Sequence, residues 1–383
     1  MAGPLTGIKV VEIGSIGPGP FCAMMLADHG ADVIRVERPG GIQGGVSLDT
    51  SKDILARSRR SITLDIKNDE CLEVLLRLVD SADCIVEGFR PGVMERLGLG
   101  PDILLARNPK LVYGRMTGWG QDGPLAHTAG HDINYIALSG ALNMLGREDS
   151  APTPPINILG DFAGGGLTLA FGLVCALFNA RSSGKGQVVD CSMAEGASQL
   201  MSFIWTLQQQ GSWPEARGAN ELDTGAHYYD TYACADGKFI ALGAIEPKFH
   251  NEFRRLLGID KDSEFDGHTD KNKWQPLKAR LKEIFLQKTR DEWAEIFSGS
   301  DACLTPVLDF DESVAHPHNK ARNAHVEVAG MLQPAPAPRY SQTPTDKPRE
   351  PVVAGADTKD ILKELGYDKG YIDAFIQHWA TKK

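Results

Sequence analysis

The sequence contains no paired-cysteine motif. Its seven cysteines, at 22, 71, 84, 175, 191, 234 and 303, are odd in number and scattered, with no CxxC. That excludes a disulfide framework and a zinc-ribbon type of metal site, and points to a reducing compartment. A basic stripe is also missing. Fifty acidic against forty basic residues leave a formal charge of −10, which excludes a nucleic-acid surface and leaves basic side chains to act as single anchors. No segment reads as the run of about 20 apolar residues that a membrane span requires, and Met1 to Gly7 has no basic segment followed by an apolar one. Neither membrane insertion nor secretion is expected. The terminal Ala380-Thr381-Lys382-Lys383 does not match a Ser-Lys-Leu address, so a cytoplasmic location and a peroxisomal or mitochondrial one both stay open. There is no internal repeat.

What is present is ample apolar material. The 383 residues are 42% hydrophobic, enough for a large core and two domains. Ile8–Ile13 reads as a strand, Pro20–His29 as a helix and Val33–Val36 as a strand, which makes a βαβ unit. The alternation continues with Ser61–Asp65, helix Glu70–Ser81, Cys84–Glu87 and Leu111–Met116, predicting a parallel, doubly wound α/β sheet of Rossmann-like type. Phe162–Arg181 predicts a long helix, Gln187–Cys191 a strand, and Met193–Gln210 a second long helix. From Tyr228 the pattern changes to two strands around Asp236-Gly237 and helices near 247–257 and 275–298, a smaller α+β domain. Pro334–Arg349 has the composition of an extended strap, and Asp357–Gln377 predicts an amphipathic helix pair. The expected division is a large domain over 1–190 completed by 330–383, a linker helix over 191–226 and a small domain over 227–329.

Gly14, Gly17 and Gly19 sit between a strand and a helix, with Glu37 about twenty residues on, superficially a dinucleotide turn. The spacing is GxxGxG rather than GxGxxG. Pro18 and Pro20 also remove two N–H groups that a pyrophosphate cradle would use. The turn is therefore expected either to carry no ligand or to face a different adenine nucleotide carrier.

Three separated motifs bring a more specific reading: Ala129-Gly130-His131-Asp132-Ile133-Asn134-Tyr135, Gly160-Asp161-Phe162-Ala163-Gly164-Gly165-Gly166 and Gly243-Ala244-Ile245-Glu246-Pro247. With Gly17-Pro18-Gly19-Pro20, Glu87-Gly88-Phe89-Arg90-Pro91-Gly92-Val93, Thr117-Gly118-Trp119-Gly120-Gln121, Ser183-Gly184-Lys185-Gly186-Gln187 and Thr305-Pro306-Val307, the chain resembles the α-methylacyl-CoA racemases, a branch of the family III CoA-transferases. The resemblance weakens only after about Arg322. It implies a homodimer whose chains interlock like links, with sites between one chain's large domain and the other's small domain. It also implies a 2-methyl-branched acyl-CoA substrate and no cofactor beyond the CoA that the substrate carries.

Moving a proton on and off the carbon beside a thioester carbonyl requires a base on each face and a group that stabilises the enolate. By the resemblance, His131 and Asp161 are the two bases, and Glu246 crosses the dimer interface to hydrogen-bond His131 and fix its tautomer. Asp132 adds local negative potential. Because Asp161 precedes a helical run, its own N–H and those after it are expected to point at the enolate oxygen. Taken singly, a histidine is more often structural, an aspartate before a helix more often an N-cap, and Glu246-Pro247 reads equally as a helix start. The conjunction of the three motifs carries the assignment.

For the CoA moiety the resemblance implies Arg38, Leu64, Asp65, Ile66, Lys67, Arg90 and Arg96, where guanidinium groups suit phosphates, together with Gly130, Ile133, Asn134 and Tyr135 around the histidine. Met193, Leu200 and Met201 could line an adaptable acyl surface, or simply be core. Glu221, Thr224 and His227 stand where racemases usually carry Met, Gly and Pro, which bears on substrate preference. The competing functions are a CoA-transferase of the same family with Asp161 as nucleophile, a non-catalytic acyl-CoA-binding protein, and a distant NAD-dependent dehydrogenase. At Glu246 the transferases carry a glycine-rich loop that Ala244-Ile245-Glu246-Pro247 does not match, and His131 favours the racemase.

Overall fold

The computed structural model describes residues 1–41, 52–214 and 216–380. Thr381, Lys382 and Lys383, read above for an address signal, lie outside them. The chain divides into two compact units. One comprises 1–139, 156–200 and 320–383, the other 140–155 and 201–319. Relative to the expected boundaries, 140–155 falls in the second unit, and 191–200 and 320–329 fall in the first. Chain continuity alone cannot show such excursions.

The first unit is built on six parallel strands, β1 (Lys9–Ile13), β2 (Asp32–Glu37), β3 (Arg60–Thr63), β4 (Cys84–Glu87), β5 (Val112–Thr117) and β6 (Gln187–Ser192). Their order is β3-β2-β1-β4-β5-β6, so the α/β, Rossmann-like expectation holds. The chain runs outward from β1 to β3, then returns to β4 on the other side of β1. The connections therefore reverse between β1 and β4, which opens a crevice at their carboxyl ends.

Helix α1 (Pro18–Asp28) starts where proline suits the first turn, two residues earlier than its spacing suggests. On one face of the sheet lie α2 (Asp69–Asp80), capped by the Asn68 side chain, α3 (Val93–Arg96) and α4 (Pro101–Arg107), sharing a core with helices Thr358–Glu364 and Lys369–Phe375. On the other lie α1 and α6 (Thr168–Ser183), with Leu169, Leu173 and Leu177 buried. α6 ends at Gly184, whose φ of 72° supplies the left-handed cap.

Two expectations are corrected here. Residues Ile158–Leu167 form a π-helix continuous with α6, so the helical run starts four residues before Phe162. The combined run Ile158–Ser183, 26 residues, is long and apolar enough to cross a membrane by length and composition, contrary to the sequence expectation. One face of it packs on β5 and β6. The other leaves Leu167, Phe171, Val174 and Phe178 exposed, Phe171 at 71% and Phe178 at 79%.

The predicted helix 193–210 is two helices. α7 (Met193–Leu200) belongs to the first unit, and α8 (Ser202–Gln209) follows a break at Met201, where the chain passes into the second. In the second unit β7 (Tyr229–Ala233), β8 (Phe239–Gly243) and β9 (Leu304–Pro306) form an antiparallel sheet covered by α9 (Pro247–Leu257), α10 (Lys271–Phe285) and α11 (Arg290–Ile296). The single helix expected over 275–298 is also two, because Thr289 and Glu292 form a reciprocal capping box that begins α11.

Candidate active site

His131 is the N-cap of α5 (Asp132–Leu138), in extended conformation. Its backbone N–H donates to Asn134 Oδ1 at 3.0 Å, and its ring is exposed. The preceding loop is anchored by Tyr135. That ring is buried against Gly118 and Gly130, meets Trp119 edge-on at 4.7 Å, and donates its hydroxyl to the Gly130 carbonyl. Tyr135, expected as a CoA contact, supports the histidine loop here. A methyl at Gly130 would sit 2.7 Å from Tyr135 and 2.9 Å from Trp119, so the loop needs glycine there.

Asp132 is 6% exposed, and its Oδ1 accepts the N–H groups of both Gly160 and Asp161 at 2.7 Å. Gly160 has no room for a side chain, since a Cβ would lie 2.6 Å from that oxygen. The expectation that the Asp161 N–H points at a ligand is overturned. That N–H is held by Asp132, because the helix starts upstream of Asp161 rather than after it. Asp132 joins two segments of the site: it follows His131 in the chain and fixes the backbone of Asp161. Its Oδ2 is buried and has no partner among the described residues.

The Asp161 carboxylate is half-buried and accepts from Asn157 Nδ2 at 3.0 Å. Burial lifts its pKa above the ordinary carboxylate range. The Asn157 hydrogen bond opposes this, the nearby Asp132 charge reinforces it, and the His131 charge opposes it. Facing the carboxylate is Gly17, where a Cβ would stand 3.4 Å from Asp161 Oδ2. The GxxGxG turn at the end of β1, with Gly17 at φ 72°, thus lies against this carboxylate. Glu37, the apparent ribose ligand, is buried, bonded to the Ser61 hydroxyl and paired with Arg35 at 3.3 Å.

Glycines 164–166 serve packing. Any Cβ there would collide with the Ala197 backbone, Met193 or the Pro18 carbonyl. They let the π-helix lie between α1, α5 and α7 and carry Asp161 into the crevice. Sequence reading missed the roles of Gly17 and Asn157. Asn157, four residues before Asp161, was a readable signal, since that spacing is about one helical turn.

Arg38, Lys67, Arg90 and Arg96 are exposed on segments that follow β2, β3 and β4, at the carboxyl edge of the sheet. Arg38 Nε donates to the Gly41 carbonyl. The Arg90 charge is felt by the Tyr135 hydroxyl. The segment bearing Arg90 and Arg96 is shaped by buried Glu87, which accepts the Phe89 N–H at 2.7 Å and Arg115 at 3.0 Å, while Arg115 also holds Glu95 at 2.7 Å. Burial pushes Glu87 up to about 7.

The Leu64 side chain, expected as a CoA contact, is buried in the core, and its N–H is bonded to the Glu37 carbonyl. Asp65 and Ile66 are half-buried, and Gly130 is half-buried between the exposed ends of the histidine loop. Ile133 and Asn134 are exposed beside His131. Met193 is core, packed near Gly165, whereas Leu200 is exposed and Met201 half-buried.

Glu246 belongs to the second unit. It is exposed at the N-terminus of α9, where its side chain does not cap the helix. Glu221 accepts from the Tyr228 hydroxyl at 2.7 Å. Thr224, at the usual glycine position, adopts φ 77°, with its carbonyl held by Lys278. His227 is fully buried.

Substituting Asp132 separates its two contributions. Asp132→Ala strands two N–H groups, at about 1–3 kcal/mol each if they stay unpaired, and lowers the melting temperature. Asp132→Asn retains an oxygen acceptor but loses the charge. It is expected to fold normally and to move the acid limb of the pH–rate profile to lower pH, as Asp161 returns toward its ordinary range. An unmoved profile in Asp132→Asn would show that the charge does not act on Asp161.

A model of CoA-transferase family III matches residues 5–358 of the chain. The chain is 46% identical over 368 residues to the alpha-methylacyl-CoA racemase of Mus musculus, covering 95% of this chain and 94% of that protein. It is equally similar to the alpha-methylacyl-CoA racemase of Homo sapiens, at 46% over 368 residues with the same coverage. Among solved structures, a CAIB/BAIF family protein from Brucella suis superposes with a TM-score of 0.81 at 27% identity, covering 95% of this chain and all of that one.

Proposed function

The chain belongs to CoA-transferase family III, and within it we propose that it is a racemase of 2-methyl-branched acyl-CoA thioesters. It would interconvert the (2R) and (2S) forms by 1,1-proton transfer through an enolate. The observation that carries this reading is that Asp132, adjacent to His131 in the chain, holds the Asp161 N–H at 2.7 Å, so that the His131 charge is felt by the Asp161 carboxylate, on a chain 46% identical to two racemases. An imidazole and a carboxylate of raised pKa are suited to exchange protons with a carbon acid from opposite faces. Each acts as base toward one enantiomer and, once protonated, delivers to the other face. This chemistry calls on neither a metal nor a redox cofactor, CoA entering as part of the substrate.

Arg38, Arg90 and Arg96, exposed at the carboxyl edge, would bind the phosphates of CoA, with Lys67 beside them. Leu200 and Ile133 offer exposed apolar surface for the acyl chain. The active unit is a homodimer in which Glu246 of one protomer hydrogen-bonds His131 of the other. Support for a second copy comes from the stripe Leu167, Phe171, Val174 and Phe178, too apolar a face to leave in water.

The test is proton NMR of a (2R)-2-methylacyl-CoA incubated with the enzyme in D2O, with chiral analysis and a parallel sample containing a free carboxylic acid. Loss of the α-proton signal together with equilibration of the two enantiomers is expected. CoA transfer to the acid without exchange would instead establish a transferase in which Asp161 is the nucleophile.

A further inference from the structure

Three histidines converge in the second unit beneath the segment that carries Glu246. His268 Nε2 lies 2.9 Å from the carbonyl oxygen of Ile245, the residue before Glu246. A carbonyl only accepts, so Nε2 carries the proton and donates. The His268 ring is stacked on His250 at 4.1 Å with an interplanar angle of 11°. His250 lies on α9, and its N–H donates to the Glu246 carbonyl at 2.9 Å. The backbone of His268 is pinned by the Trp274 indole, which donates to its carbonyl at 3.0 Å, and Tyr228 meets the ring edge-on at 5.0 Å. His227 completes the cluster, edge-on to His250 at 5.7 Å. Glu246 is thus bracketed by one imidazole holding the carbonyl before it and another on the helix that follows.

We propose that His268 is a positioning residue for Glu246, its Nε2–H fixing the Ile245 carbonyl and its stack on His250 fixing the ring. The inference rests on the reading of Glu246 as the partner of the other protomer's His131. An exposed glutamate at a helix start has three free torsions. Its carboxylate meets a fixed target only if the backbone that bears it is fixed first. His268 supplies that fixation without touching the reacting atoms.

The experiment compares α-proton exchange in H268F, H268Q, E246Q and the H268F/E246Q double variant of the full chain. H268F keeps an aromatic ring against His250 and removes the donor. It is expected to lower kcat about tenfold with KM unchanged, the scale of a misplaced catalytic contact. H268Q, whose amide N–H reaches the same carbonyl, is expected to recover most of the loss, and keeps the test readable should phenylalanine loosen the packing. The double variant is expected to be no slower than E246Q, because the two residues act through one contact. Wild-type kcat in H268F, or a double variant slowed by the product of the two single effects, overturns the proposal while leaving the Glu246 reading intact. Unimpaired exchange in E246Q overturns that reading, and the proposal with it.

Discussion

Asp161→Asn is expected to lose racemisation by about 10³-fold or more, while still exchanging the α-proton of one enantiomer with solvent. His131 remains able to take a proton from its own face and return deuterium there, but nothing on the opposite face can complete the inversion. His131→Ala is expected to give the mirror result, exchange confined to the other enantiomer. The two variants together report on geometry as well as rate, because a single mobile base would leave exchange in both enantiomers or in neither.

Stability sharpens the comparison. Asp161 has its pKa raised in the fold, chiefly by burial, so its ionised form disfavours the folded state at neutral pH. That contribution is absent below the unfolded carboxylate pKa and grows as pH rises towards the folded one. Asp161→Asn removes it, and its melting temperature at pH 7 is expected to match or exceed the wild type's. Chiral analysis with D2O exchange decides the catalytic claim and thermal unfolding decides the second. If His131→Ala keeps full activity while Asp161→Asn is dead, the carboxylate is acting as a nucleophile and the two-base reading is wrong.

Acidification is expected to destabilise the second unit before its carboxylates titrate. His227 and His250 are buried, and burial, reinforced by their charged neighbours, lowers each to about 3. Neither ring nitrogen of His227 has a partner among the described residues, so nothing there would hold the imidazolium. Their folded pKa values lie below the unfolded value near 6.5, so between about 6.5 and 3 the unfolded chain binds more protons than the folded one. Stability is therefore full above about pH 6.5 and falls as the pH drops. At pH 5 the loss is about 2 kcal/mol for each histidine acting alone, and less than the sum for a coupled pair. Urea unfolding followed by tryptophan fluorescence at pH 7 and pH 5 measures it directly. His227→Phe keeps the edge contacts with Tyr228 and His250 and cannot be protonated, so it is expected to flatten the pH dependence. A wild-type urea midpoint unchanged between the two pH values would mean that water or rearrangement already satisfies these rings.

The same histidine marks where sequence and structure part. His227 was legible as a departure from proline, but its neighbours His250 and His268 lie 23 and 41 residues further along, and no local pattern joins them. Thr224, the other departure, could be read as a non-glycine in a glycine position. Only the backbone shows that it occupies the left-handed region, with its carbonyl held by Lys278. The expected helices break at Met201 and at Leu286–Thr289, where neither glycine nor proline marks the break in the sequence. The capping box at Thr289 was the overlooked signal for the second.

By itself the sequence determined the class of the sheet, the positions of most strands and helices, and the identity of His131, Asp161 and Glu246 as candidates. Those features depend on near-neighbour periodicity, on turn chemistry and on short motifs. Only the tertiary structure decided what the side chains do. Asp132 reaches 28 and 29 residues ahead to hold Gly160 and Asp161, Gly17 lies beside the Asp161 carboxylate, and Leu64, Tyr135 and Met193 turn inward. The physical reason is that a side chain's partner is set by which elements pack together. In this fold the π-helix bearing Asp161 and the loop bearing His131 come together through glycine contacts and one buried carboxylate that link segments far apart in the chain.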